Sequence, residues 1–452
     1  MAQRTWHKSY TPGIPHDIDL SGLRSIAQLF HEAVARYGDR PAFTNFGTTL
    51  SFTDVARLSR DFGAYLQQEL GVRKGDRVAM MAPNTLGFVV GMFGVIRAGG
   101  VQVNVNPLYS PRELRHQLKD ADADTVVIFS GSTGTLAEVI ADTPVKNVIV
   151  IGLDDLVGRG LPSPPIDGRL SGAIDFMAAL RRGAELDLDE AALDHDDALY
   201  LQYTGGTTGL SKGAELTHRN LVANILQVEA TDTGVLEEGR EVVMTAIPMY
   251  HIYALMVNTL CALKSGWHNV LITNPRDMES FVRTRAATRP SLFTGVNTLY
   301  NGLLHTPGFR DLDFSGFKVA FGGGAAIQQA VSERWREVTG NYIKEGYGLS
   351  ETSPVLTFNP IEEKSYRPGI GLPLPSTDLS LRDDAGNEVP PGQPGEICVM
   401  GPQVMRGYWR RRDATAEAMT TDGYFKTGDI GVMDADGYFR IVDRKKDMIL
   451  VS

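Results

Sequence analysis

Tyr203-Thr-Gly-Gly-Thr-Thr-Gly-Leu-Ser-Lys-Gly213 is the stretch on which the fold turns. The apolar run Ala198-Leu-Tyr-Leu-Gln202 before it reads as a buried strand. Thr217-His-Arg-Asn-Leu-Val-Ala-Asn224 after it reads as the start of a helix with Thr217 as N-cap. Glycines allow the backbone to curl until successive N–H groups converge on an anion. Thr204, Thr207, Thr208 and Ser211 add hydroxyl donors, and Lys212 adds a point charge. Strand, Gly/Thr loop, lysine and helix together predict a polyphosphate cradle; the loop alone would read equally well as a flexible polar turn. It is not a Walker A loop, which needs Gly directly before the Lys and Ser or Thr directly after it. Here Ser211 precedes Lys212 and Gly213 follows.

Outward from this loop, the 452 residues are enough for two or three domain-sized units. A hydrophobic content of 42% with 22% charged residues fits a globular chain. The formal charge of −10, with no Lys/Arg-rich run, argues against a general nucleic-acid binder. Cys261 and Cys398 are the only cysteines and lie far apart, which argues against a disulfide framework or a cysteine metal site. Met1-Ala-Gln-Arg-Thr-Trp-His-Lys lacks the apolar core of a signal peptide. The longest apolar stretch, 86–96, is too short to span a bilayer and reads as a core helix.

Apolar spacing predicts helices at 25–37 and 56–69, with a short strand entering the second from Leu50. Strands at 77–81, 101–105, 125–129 and 148–151 alternate with helices at 84–98 and from Ser110-Pro-Arg-Glu113, a capping box with proline at the first helical position. This rhythm predicts a doubly wound α/β layer. Residues 153–197 interrupt it with a Pro-rich loop, a short helix at 173–182 and an acidic run at 187–197 read as a solvated connector. A second alternation follows: strands 242–247, 269–273 and 318–321, and helices 251–263, 277–287 and 328–339. After Tyr366, short strands at 378–382, 395–399 and 437–442, bounded by Gly, Pro and Asn turns, predict a small β-barrel or meander. The expected fold class is α/β: two doubly wound subdomains and a small distorted β-barrel. The expected divisions are a segment 1–72 packing on the second α/β subdomain, α/β subdomains at 73–220 and 221–365, the barrel at 366–443, and a hinge with the start of a further domain at 444–452.

Four further clusters carry chemistry. Gly346-Tyr-Gly-Leu-Ser-Glu-Thr352 flanks Tyr347 with glycines, so a planar group can lie close to its ring. Ser350 and Glu351 put a hydroxyl beside a carboxylate, suited to a phosphate oxygen and Mg²⁺. Phe321-Gly-Gly-Gly-Ala-Ala326 has consecutive rather than spaced glycines, so it is no dinucleotide fingerprint, but its bare backbone could wall a flat ring. Asp422-Gly-Tyr-Phe-Lys-Thr-Gly-Asp429 and Asp443-Arg-Lys-Lys-Asp447 offer a carboxylate for vicinal hydroxyls and an arginine for phosphate or sugar; a charged surface hairpin is the competing reading. Pro248-Met-Tyr-His251 places one histidine at a strand-to-helix junction, where a packing role competes with a functional one. No His-Glu-x-x-His, paired His/Cys or Gly-x-Ser-x-Gly pattern occurs.

In this order the motifs resemble the adenylate-forming superfamily, and within it bacterial long-chain fatty-acid CoA ligases. The closest likeness lies in Leu201-Gln-Tyr-Thr-Gly-Gly-Thr-Thr-Gly, Asn106-Pro-Leu-Tyr-Ser-Pro-Arg-Glu-Leu and 422–446. The resemblance implies a two-step reaction with ATP, Mg²⁺ and CoA. A fatty-acid carboxylate attacks the α-phosphate to give acyl-AMP and diphosphate, and the CoA thiol then displaces AMP. It implies that Thr204, Gly205, Gly206, Thr207, Thr208, Gly209 and Lys212 handle phosphates, and that Glu351 holds Mg²⁺ beside Ser350. It further implies that Gly323, Gly324, Ala325, Tyr347 and Gly348 hold adenine, and that Asp429 and Arg444 hold ribose. His251 would line the acyl entrance, so Lys212, Glu351 and His251 are the expected catalytic set. Gly205, Ser211 and Ser350 depart from the Ser, Pro and Thr common in the family.

Lys446 matches the family's hinge to a small C-terminal domain carrying the adenylation lysine. Since that domain does not follow in these 452 residues, the resemblance implies a chain that binds ATP and acyl-AMP but turns over poorly. A cytoplasmic location is expected, with peripheral contact on the inner membrane face and a homodimer both left open, and no nucleic-acid partner. Two alternatives stand beside this reading: an adenylating ligase for aryl, medium-chain or carrier-linked acids, and an inert acyl- or nucleotide-binding module.

Overall fold

The computed structural model describes residues 4–204 and 210–444. By contacts the chain forms two compact units, one of residues 1–22, 220–237 and 278–452, the other of residues 23–219 and 238–277.

The unit containing residues 23–219 holds the alternating layer that the sequence predicts. Its sheet runs, from one edge, Gly213–Thr217, Ala198–Tyr203, Val101–Asn104, Arg77–Met81, Thr125–Phe129, Asn147–Ile151 and Ile174–Asp175. All neighbours are parallel except the first pair. Helix Leu86–Arg97 is buried along its whole length and begins at Thr85, whose side chain accepts the Phe88 N–H. It packs against helix Phe52–Gln68 closely enough that a Cβ on Gly94 would lie 2.7 Å from Phe62. A second sheet in this unit joins Val242–Thr245, His268–Leu271 and Pro41–Asn45 in parallel, with Thr48–Ser51 antiparallel at the edge.

Two local expectations need correction, and a third gains detail. Helix Phe52–Gln68 starts four residues before the predicted position, because Ser51 and Asp54 form a capping box in the stretch read as a strand entry. The acidic run is solvent-exposed coil and turn, as expected of a connector, but it is also tethered. Asp189 N–H donates to Gln67, Glu190 pairs with the buried Arg97, and Lys74 binds Ala192 O and Asp197, so the run is laced onto the two central helices. The helix expected at 251–263 is a π-helix over Ala254–Leu260 followed by Cys261–Lys264. Within it Thr259 Oγ1 reaches back five residues to Ala254 O at 3.3 Å, and Asn258 turns into the sheet to donate to Thr245 Oγ1 at 2.9 Å.

His218 carries a measurable consequence. It is 1% exposed and its Nδ1 accepts the N–H of Ile26, the first residue of helix Ile26–Tyr37. Burial lowers its pKa to about 4. The unfolded imidazole titrates near 6.5, so the neutral ring contributes stability that is complete above that pH. The contribution declines as pH falls toward 4. The expected loss is on the order of 3 kcal/mol across that window. Urea unfolding at a series of pH values measures it, and His218→Gln should flatten the profile.

In the other unit, Leu292–Gly295, Val319–Gly322 and Ile343–Gly348 are parallel, and Val355–Phe358 and Leu372–Pro373 add antiparallel strands. The first of these and helix Asn297–His305 were not foreseen in the sequence. The C-terminal strands Asp378–Arg382, Gly395–Met400, Phe425–Met433 and Phe439–Arg444 form an antiparallel meander. Its two edge strands do not pair with each other, so among the described residues it is open rather than a closed barrel. The N-terminal segment crosses this meander. Trp6 is 1% exposed against Phe439, Lys8 Nζ donates to Ala435 O at 2.6 Å, and Ser376 N–H donates to His16 O at 2.9 Å.

Candidate functional site

The candidate residues fall into two groups, one in each unit. In the unit with the meander, Ile343–Gly348 runs into one 3-10 turn, Ser350–Thr352. The turn is closed locally: the Leu349 N–H meets Thr352 Oγ1 at 3.0 Å and Pro354 O at 3.1 Å, and the Thr352 hydroxyl donates to Pro354 O at 2.6 Å. Tyr347 directs its hydroxyl to Asp429 Oδ2 at 2.6 Å. Burial first, and then the Asp429 charge, push the phenol pKa far up, so the ring stays a protonated donor. Strand register pairs Asp429 with Arg444, whose Nε lies 3.4 Å from Asp429 Oδ1. One buried carboxylate is thus gripped by a phenol and flanked by an exposed guanidinium. A carboxylate can accept along about four lone-pair directions, so this one can still receive vicinal hydroxyls.

Glu351 is buried, and Tyr408 donates its hydroxyl to Oε1 at 2.7 Å while Met405 N–H binds the Glu351 carbonyl at 2.7 Å. Both contacts come from outside the turn and fix where the carboxylate points. Gly322 pairs with Glu345, two residues before Tyr347, so the glycine run continues from a neighbouring strand end. Gly324 has φ +76°, a left-handed conformation that favours glycine, and the backbone at 324–325 is exposed. Asp422 belongs elsewhere. Arg382 binds it bidentately at 2.8 and 2.7 Å and holds its carboxyl well below the usual range, so it clamps the meander.

In the other unit the phosphate stretch is the tip of a hairpin, which corrects the predicted strand–loop–helix order. Ala198–Tyr203 pairs antiparallel with Gly213–Thr217, and helix His218–Glu229 begins only beyond that second strand. Alternating burial across Ala214, Glu215 and Leu216 marks the strand; Thr217 is its last residue and stands directly before the first helical residue, His218, which is the N-cap position expected for it. The hairpin base is rigid: Thr204 N–H donates to Lys212 O at 3.0 Å, the Tyr203 hydroxyl binds Asp120 at 2.9 Å, and His116 Nε2 lies 2.8 Å from Ser211 O. Lys212 is exposed. Gly205, Gly206, Thr207, Thr208 and Gly209, like Lys446, lie outside the described residues.

His251 is in the same unit. Its Nδ1 accepts the Tyr253 N–H at 3.2 Å, which puts the ring proton on Nε2. The ring is exposed, yet surrounding protein desolvates it enough to lower its pKa, so it is neutral at pH 7. The sequence did not reveal Tyr408, which aims Glu351, or Asn84 and Gln202, which hold the turn before His251. No spacing or motif marks Tyr408 or Asn84, and Gln202, though it lies within the quoted Leu201–Gly209 motif, carries no sign there of its bond to Tyr250. Among the described residues no helix is long and apolar enough to cross a membrane, and no three His, Cys, Asp or Glu side chains cluster as a metal site.

A family model described as AMP-binding enzyme matches residues 30–409. The chain is 48% identical to the long-chain-fatty-acid–CoA ligase of Escherichia coli O6:H1, covering all of this chain and 82% of that protein. It is 42% identical to the Haemophilus influenzae protein of the same description, with the same coverage. Among solved structures, the anthranilate CoA ligase AuaEII in complex with anthranoyl-AMP superposes with a TM-score of 0.84 at 23% identity, covering 97% of this chain and 80% of that one.

Proposed function

This chain belongs to the AMP-binding enzyme family, and from that premise we propose that it is a long-chain-fatty-acid–CoA ligase. It joins a fatty acid to CoA at the expense of ATP, releasing AMP and diphosphate. The observation that carries the reading is 42–48% identity along the whole chain to ligases of that description. A carboxylate is a poor acyl donor until it bears a good leaving group, and adenylation supplies one. Catalysis then rests on positioning and on charge neutralisation.

The residue roles are those that the family likeness implies. Tyr347 and Gly348 take adenine together with the backbone of Gly323, Gly324 and Ala325, of which 324–325 is exposed. Asp429, aimed by the Tyr347 hydroxyl, takes the ribose hydroxyls with Arg444. The hairpin tip, from Thr204 through Thr208 to Lys212, takes the phosphates, and Ser350 adds a hydroxyl. Glu351 is a single aimed carboxylate outside any cluster of acidic groups, which fits Mg²⁺, an ion bound by one or two carboxylates together with substrate phosphates and water. When bound, that ion neutralises phosphate charge. His251, neutral with its proton on Nε2, can donate a hydrogen bond to the fatty-acid carboxylate without fixing it in an unreactive ion pair.

ATP–diphosphate exchange across a panel of acids tests the reading. Long-chain fatty acids should support exchange; exchange with aryl or short acids alone would favour the alternative ligase, and none at all the binding module. Lys212→Ala should weaken ATP binding about 10–100-fold, as expected for a lost charge-assisted contact, and leave fatty-acid binding unchanged. Isothermal titration with each ligand separates the two effects. An unaltered ATP affinity would remove Lys212 from the phosphate site.

A further inference from the structure

The turn at 248–251 that presents His251 is held largely by side chains from other elements. Asn84, 3% exposed, lies between strand Arg77–Met81 and helix Leu86–Arg97. Its Nδ2 is 3.0 Å from Ile247 O and 3.2 Å from both Thr245 O and Ile272 O, and its Oδ1 accepts the Met249 N–H at 2.7 Å. Its own carbonyl is tied down by the Thr273 hydroxyl at 2.7 Å. From another strand Gln202, 5% exposed, donates Nε2 to Tyr250 O at 3.2 Å while its Oε1 accepts from Asn104 Nδ2 at 3.0 Å. Main-chain groups of Ile247, Met249 and Tyr250 therefore all end on two buried carboxamides. His251 N–H alone closes locally, on Pro248 O at 3.0 Å.

Apolar side chains at 84 and 202 could fill the same space, but each abandoned buried partner would cost about 1–3 kcal/mol. We propose that Asn84 and Gln202 are positioning residues for the fatty-acid carboxylate site. They fix the 248–251 turn and hence the direction of His251 Nε2. Gln202, next to Tyr203 at the hairpin base, also ties that turn to the strand that carries the phosphate loop. The inference rests on the reading of His251 as an acyl-site residue.

The test uses Gln202→Met, Asn84→Ala and His251→Ala, with fatty-acid and ATP affinities measured separately and the His251 ring titrated by NMR. Both positioning variants should bind fatty acid about 10-fold more weakly with ATP affinity within about 2-fold. They should also raise the His251 pKa toward 6.5 as the loosened turn admits water. A purely structural role would lower stability without moving the ring titration. If Asn84→Ala fails to fold, Gln202→Met carries the test alone. Folded Gln202→Met with wild-type fatty-acid affinity and an unmoved His251 titration overturns the inference. If His251→Ala itself binds fatty acid normally, the acyl-site reading of His251 falls, and this inference falls with it.

Discussion

Glu351→Gln is expected to slow acyl-adenylate formation by about 10²–10³-fold, or roughly 3–4 kcal/mol of transition-state stabilisation, in a protein that stays folded. Glutamine keeps the shape and an acceptor oxygen for the Tyr408 hydroxyl, and the Met405 contact is to the backbone, so both constraints on the side chain survive. What is lost is the charge. At the diphosphate-leaving step negative charge accumulates, and the carboxylate is the group in this turn that can hold a divalent cation there. Diphosphate exchange at saturating Mg²⁺, with a thermal melt as control, measures the effect. A rate within 10-fold of wild type and an unchanged Mg²⁺ requirement would take Glu351 out of the metal site.

Gly348→Ala should cost more than 3 kcal/mol of stability and abolish nucleotide binding, because the added carbon meets backbone. Its Cβ would sit 1.9 Å from Pro354 O, 2.6 Å from Pro354 C and 3.0 Å from Val355 Cα. Those atoms belong to Pro354 and to Val355, the first residue of the strand that pairs with Gly348, and the Pro354 carbonyl already accepts the Leu349 N–H and the Thr352 hydroxyl. No rotamer change relieves the overlap; strand and turn must part, and Tyr347 moves with them. Gly316→Ala is the control, since its Cβ meets nothing within 4 Å, and should shift stability by less than about 0.5 kcal/mol. Matching urea midpoints for the two variants would refute this steric account.

The sequence revealed most where a local rule acts alone. Ser110-Pro-Arg-Glu113 announces its helix because cap, proline and glutamate are contiguous, and the structure has the full capping box at helix Pro111–Ala121. The buried helix Leu86–Arg97 was legible from its unbroken apolar run. Reading failed where tertiary pairing chooses between two local options. The helix beginning after Thr217 was legible, but strand Gly213–Thr217 before it was not, because only its antiparallel partner Ala198–Tyr203 makes 213–217 a strand rather than loop. The acidic run was read as solvated and is exposed, but its tethers to Arg97, Lys74 and Gln67 were not legible, because those residues are more than 90 positions earlier in the chain. Tyr347, Asp429 and Arg444 were identified through family likeness, and only the structure shows that a single hydrogen bond and an ion pair join them. Asn84 and Gln202 leave no trace in spacing, since a buried carboxamide that serves a distant turn follows no periodicity.

The N-terminal crossing over the meander has a consequence for biosynthesis. Trp6, Lys8 and Ser9 leave the ribosome early, yet Lys8 bonds to Ala435, 427 residues later. At elongation speeds of about 5–20 residues per second that separation is roughly 20–90 s, long beside the folding time of most small domains. Residues 23–219, most of the phosphate-loop unit, are complete well before that partner exists. During this interval a tryptophan with no burial site stays exposed on the nascent chain, available to a chaperone, and its docking would be among the last steps of maturation.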